Sequence, residues 1–139
     1  MPSTYSGNRT TKVRTAVAVS VQLLIALVHV FRLGTYLRGQ LYVLYYSYFS
    51  DLVIPFGMYF LLCMEDTWVR FLRDWRLKAL LVFGVASFTE VLQAFGVPLL
   101  GRTFDPLDFA MFAGGVLLAV LADRFLLVRL LPGWSPGER

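Results

Sequence analysis

The sequence is short of the residues on which soluble catalysts and metalloproteins depend. It has one cysteine, Cys63, and one histidine, His29. A single cysteine excludes an intrachain disulfide and any cysteine-based metal site. A single histidine excludes bis-histidine haem ligation and argues against a zinc centre. Charge is also scarce, at 16% of residues, where a soluble domain carries about a quarter. No Ser/His/Asp arrangement, no HExxH and no DxxxD-type metal pair occurs, and there is no internal repeat or low-complexity tract. No cofactor and no metal site is expected.

Apolar residues fill the space those absences leave. Over 139 residues, 58% are hydrophobic and 16% aromatic, with a mean hydropathy of +0.65. They come in long blocks, which points to a bilayer, and the length suits one domain. The net charge of +4 does not indicate nucleic acid, because the basic residues sit at the ends of the hydrophobic blocks, as in the positive-inside pattern. Arg9, Lys12 and Arg14 before an apolar run superficially resemble a signal peptide. The run continues to about Leu33, too long for an h-region and without a small-x-small cleavage site, so a retained first span is expected.

The expected fold is an all-α integral membrane protein, a four-transmembrane-helix bundle with a short interfacial amphipathic helix. The single membrane domain is placed at 13–131, with spans at about 13–33, 41–64, 77–100 and 106–131, each near the ~20 residues a bilayer core requires. A short, mobile polar tail precedes it at 1–12, and a loose Pro/Gly-rich tail follows at 132–139.

Polar residues inside the spans are few. Gln22, His29 and Arg32 recur at i, i+7 and i+10, on one face of the first span that is expected to meet the other helices. The second span opens with Tyr42, Tyr45, Tyr46 and Tyr48, as suits headgroup level. Ser47, Asp51 and Pro55 follow at i, i+4, i+8. Asp51 lies roughly 15 Å into the span at the helical rise, and Pro55 frees a carbonyl beside it and is expected to kink the helix. In the link at 65–78, Trp68, Phe71, Leu72 and Trp75 form a stripe beside arginines, read as a helix lying in the cytoplasmic interface. The third span carries Glu90 and Gln93, a link supplies Arg102 and Asp105, and Asp108 opens the fourth span. Ala110, Gly114, Gly115 and Ala119 on that span are small residues one turn apart, which let helices approach closely.

Topology follows from the basic residues. Arg9, Lys12, Arg14, Arg70, Arg73, Arg76, Lys78, Arg124, Arg129 and Arg139 fall on one side, against Arg32, Arg38 and Arg102 on the other. Both termini are therefore expected in the cytoplasm. His29, Arg32, Asp51, Glu90, Gln93, Arg102, Asp105 and Asp108 then share one layer in the outer half of the membrane. The plain alternative for this layer is structural, since intramembrane polar groups also bind helices together at about 1 kcal/mol or less each. Ionisable groups in spans are more often functional.

The spacing Glu90-x-x-Gln93, then Gly101-Arg102-x-x-Asp105-x-x-Asp108 and a glycine pair, resembles the VanZ-like family of small bacterial membrane proteins. Asp51-x-x-x-Pro55-Phe56-Gly57 is similar to that family's acidic residue and Pro-centred motif in an earlier span. The likeness covers the second span and the last two. One position departs from it: the family commonly carries Asn four residues after the second Asp, and this chain has Phe112. The resemblance implies a multi-pass protein of the bacterial cytoplasmic membrane, with an outer-leaflet site near lipid-linked cell-wall precursors. The family's name-bearing members are associated with reduced susceptibility to the glycopeptide teicoplanin, without an agreed chemical activity, and resistance is not carried over to this chain.

The favoured reading is a non-enzymatic envelope protein whose polar layer binds an amphiphilic or anionic, lipid-linked ligand. Arg102 would engage the anion, Glu90 and Gln93 would orient it, and Asp51, Asp105 and Asp108 would organise the link, with His29 and Arg32 secondary. Partners expected are membrane lipids and a lipid-linked precursor, and no nucleic acid. One alternative is an intramembrane enzyme with Glu90 as acid/base. Another is a subunit of a larger membrane complex, docking through Trp68, Phe71 and Trp75.

Overall fold

A computed structural model describes residues 4–97 and 104–135. The described chain is all helical, with no β-strand among the described residues. Its long helices are α1 (Thr4–Val30), α2 (Gln40–Glu65), α3 (Trp75–Ala94) and α4 (Pro106–Leu130). All four are long and apolar enough to cross a membrane. Their outer faces fit that environment. Leu23 and Leu24 on α1, Leu80 and Phe88 on α3, and Leu117 and Phe125 on α4 are all exposed, which lipid favours and water would not.

Two boundaries differ from those expected from sequence, each for a local reason. Helix α1 starts at Thr4, so most of the tail assigned to 1–12 is helix. Helix α3 stops at Ala94 rather than near residue 100. Gly96 adopts a left-handed conformation (φ 81°). There the Val97 N–H donates to the Leu92 carbonyl at 3.0 Å, and the Gly96 N–H to the Gln93 carbonyl at 2.9 Å. Those two bonds are the Schellman cap, which satisfies the last carbonyls and turns the chain away. At the other junctions, α1 ends before Arg32, whose φ is 48°, and a 3₁₀ turn at Leu33–Tyr36 leads into α2. The link between α2 and α3 holds a single 3₁₀ turn, Arg70–Arg73. Its aromatic stripe is split: Trp68 and Phe71 are exposed and Leu72 is buried. Arg76 and Arg124 both lie over the Trp75 ring at 5.5 Å.

Helices α2 and α4 form the closest pair, with α1 against α2 and α3 against α4; α2 and α3 touch each other less. Glycines set the two tightest approaches. A Cβ on Gly115 of α4 would overlap the Leu52 backbone carbonyl of α2. A Cβ on Gly57 of α2 would press on Ile25 at 2.8 Å, and the Gln22 amide of α1 donates to the Gly57 carbonyl at 2.9 Å. Ala119, wholly buried, completes the α4 seam, so the small residues work within the chain.

The end of the bundle that holds both termini is locked by buried polar groups that, in the sequence, look like flanking charges or a loose tail. Asp66, 1% exposed, pairs with Arg14 of α1 and with Lys78 of α3. Lys78 Nζ also donates to Cys63 Sγ at 3.3 Å. The segment after α4 is anchored rather than free. Trp134 is buried in the core cluster, and its indole N–H donates to Asp123 Oδ1 at 2.9 Å. The Tyr59 hydroxyl donates to Asp123 Oδ2 at 2.8 Å. Asp123 sits in a π-helical turn, Ala122–Leu126, a local insertion that re-phases a helix face.

Candidate functional site

In the opposite half of the bundle, polar side chains link the helices. Glu90, 2% exposed on α3, accepts the Asp105 backbone N–H on Oε1 at 2.8 Å. Asp105 is itself the N-cap of α4 and accepts the Leu107 N–H at 2.9 Å. Glu90 thus fixes the entry of α4 from a neighbouring helix, satisfying a donor near the positive end of the helix dipole. Tyr48 of α2 donates to Asp105 Oδ2 at 3.4 Å. These contacts tie α2, α3 and the start of α4 together.

Beneath this junction lies a cavity of about 480 Å³. Helix α2 contributes Ser47, Ser50, Asp51 and Pro55; α3 contributes Thr89, Glu90 and Gln93; and α4 contributes Asp108 and Phe112. The carboxylates of Asp51, Glu90 and Asp108 interact electrostatically across it, with Asp105 adding to their field. Among the described residues, Asp51 and Asp108 make no side-chain hydrogen bond to the protein. No lysine, arginine or histidine is among the described lining residues. Pro55, inside α2, has no N–H, so the Asp51 carbonyl loses its i+4 donor. No group of described residues has the arrangement of a metal site.

His29 and Arg32 stand in a separate, smaller cavity of about 110 Å³, which shares Tyr46 and Ser50 with the larger one. His29 Nδ1 lies 2.8 Å from the Ile25 carbonyl and Nε2 lies 3.2 Å from Ser50 Oγ. A carbonyl only accepts, so Nδ1 carries a proton and donates to Ile25, while Nε2 is paired with the Ser50 hydroxyl. His29 thereby bridges α1 and α2.

Six of the expected site residues are therefore placed as follows. Asp51, Glu90, Gln93 and Asp108 share one cavity, Asp105 is joined to it through Glu90, and Arg102 lies outside the described residues. Phe112, where the resemblance leads one to expect Asn, is buried in the cavity wall. Sequence reasoning missed the hydroxyls of Ser50 and Thr89, since serine and threonine in a span carry little signal alone. Ser50 sits next to Asp51, and Thr89 next to Glu90; that adjacency is the available clue. Comparison of the chain with protein-family models, with curated proteins and with solved structures finds no match in any of the three.

Proposed function

We propose that this chain is a VanZ-like protein of the bacterial cell envelope that holds the head group of an amphiphilic, lipid-linked ligand in its polar cavity, without catalysing a reaction on it. One observation carries the reading: residues far apart in sequence, Asp51, Glu90, Gln93 and Asp108, converge on one cavity of about 480 Å³. The Glu90–Asp105 bond also joins the two halves of the motif that carries the resemblance. Basic residues gather at the end holding both termini. The positive-inside rule then puts those termini in the cytoplasm and the cavity in the outer half of the membrane. Two features favour binding over catalysis. Glu90 is already committed to the Asp105 N–H. Ser50 has a base beside it, His29, but that ring is oriented by a backbone carbonyl, not by a carboxylate that would stabilise an imidazolium.

Native mass spectrometry of the protein extracted from its own membrane tests this reading. The wild type is compared with Asp51→Asn and with Arg102→Ala. A co-purifying lipid-linked species kept by the wild type and lost in Asp51→Asn is the expected result. Identical spectra from proteins of equal thermal stability would overturn it. Exposed Trp68 and Phe71 serve in this reading as interface anchors on the cytoplasmic side, with Trp75 beside Arg76 and Arg124.

A further inference from the structure

The cavity is graded along its length, and the gradient specifies more than a polar head group. At one end stand Asp51, Glu90, Gln93 and Asp108; away from them the lining turns to Ile54, Met58, Val85 and Ala86. Ile54 and Val85 are 40% and 50% exposed and also line the cavity. They belong to α2 and α3, the long helices that flank the cavity and touch each other less than either touches α4. The side of the cavity between α2 and α3 is thus apolar and the less tightly packed one.

Charge at the polar end is one-sided, with Asp51, Glu90 and Asp108 beside the neutral Gln93, Ser47, Ser50 and Thr89. Carboxylates accept and do not donate, and no described lining residue supplies a cation. Several carboxylates in a low-dielectric site favour a partner that brings positive charge and hydrogen-bond donors. We infer that the cavity takes a long-chain amphiphile bearing a primary ammonium head, which enters sideways from the bilayer between α2 and α3 and leaves its tail along Ile54, Met58 and Val85. This rests on the amphiphile-binding reading above and narrows it. The ammonium class replaces the anion that Arg102 would engage, and the route is lateral rather than from the aqueous face.

The test uses the full chain in phosphatidylcholine nanodiscs and a long-chain primary alkylamine carrying a diazirine midway along its tail. After photolysis, adducts are mapped by mass spectrometry. Adducts on Ile54, Met58 or Val85 are expected, displaced by the unlabelled amine and not by the alkyl phosphate or alcohol of the same length, nor by a short-chain amine. Asp51→Asn, which removes no described hydrogen bond, is expected to lower labelling about tenfold, as for a lost charge-assisted bond. Ile54→Trp is expected to abolish it by filling that side of the cavity, with the thermal transition unchanged. If alcohol or phosphate displaces the probe as well as the amine does, the ammonium assignment falls and amphiphile binding stands. If adducts form in the cavity and persist in Ile54→Trp, the lateral route falls. If neither the amine probe nor its alcohol and phosphate analogues label the cavity, both readings fall together.

Discussion

Glu90 and Asp123 are buried carboxylates with different work, and substitution separates them. Glu90 supplies one acceptor to a backbone N–H. Gln keeps such an oxygen and Ala does not. Glu90→Ala is therefore expected to cost about 1–2 kcal/mol, as loss of a helix cap does, and Glu90→Gln clearly less; thermal unfolding in detergent distinguishes them. Asp123 accepts from both Tyr59 and Trp134. Asp123→Ala leaves the buried Tyr59 hydroxyl unmatched, at about 1–3 kcal/mol, and leaves the Trp134 indole with its bond to the Asp123 backbone carbonyl at 3.1 Å. It is also expected to release the segment at Trp134, seen as faster amide hydrogen exchange there. Only the first of these residues is legible as important in the sequence. Glu90 stands alone in an apolar run within a spaced motif. Asp123 precedes Arg124 near a span end, where a charged pair reads as solvated, and its indole partner lies in a Pro/Gly-rich stretch that carries no packing pattern.

At the level of the helices, two glycines of similar appearance are expected to respond oppositely. Gly115 abuts the Leu52 carbonyl, so a methyl group there must push α2 and α4 apart. Gly115→Ala should destabilise by about 1–3 kcal/mol, the range for overpacking a close contact. Gly84, on α3, has open space where its Cβ would be. Gly84→Ala should stabilise by about 0.5–1 kcal/mol by reducing the freedom of the unfolded chain. Thermal shifts of opposite sign are the expected reading, and a loss at both positions would contradict the packing. Small residues one turn apart are enough, in the sequence, to announce a close approach. They do not say which of Gly114 and Gly115 meets a neighbour, because helix rotation is set by the partner. The end of α3 is hard to place for a related reason: Pro98 suggests a boundary, but Gly96 closes the helix earlier through its left-handed cap.

For the molecule as a whole, hydropathy alone reveals the four long apolar helices, because the bilayer imposes length and composition directly. The clasp of Arg14, Asp66 and Lys78 stays hidden, since a charge flanking a span and a charge buried behind it look alike in one dimension. That clasp matters to orientation, because it withdraws two of the basic residues counted toward the positive-inside bias into a buried cluster. Arg9, Lys12, Arg70, Arg76 and Arg129 remain exposed at the same end, enough to keep the bias. Single-cysteine labelling in intact cells decides the matter, since the native Cys63 is 1% exposed and contributes little background. Arg38→Cys, in the exposed link between α1 and α2, is expected to react with a membrane-impermeant maleimide from outside. Arg70→Cys, in the link between α2 and α3, is expected to react only after permeabilisation. The reverse pattern would place the polar cavity in the cytoplasmic half of the membrane, where an outer-leaflet lipid-linked ligand has no access to it.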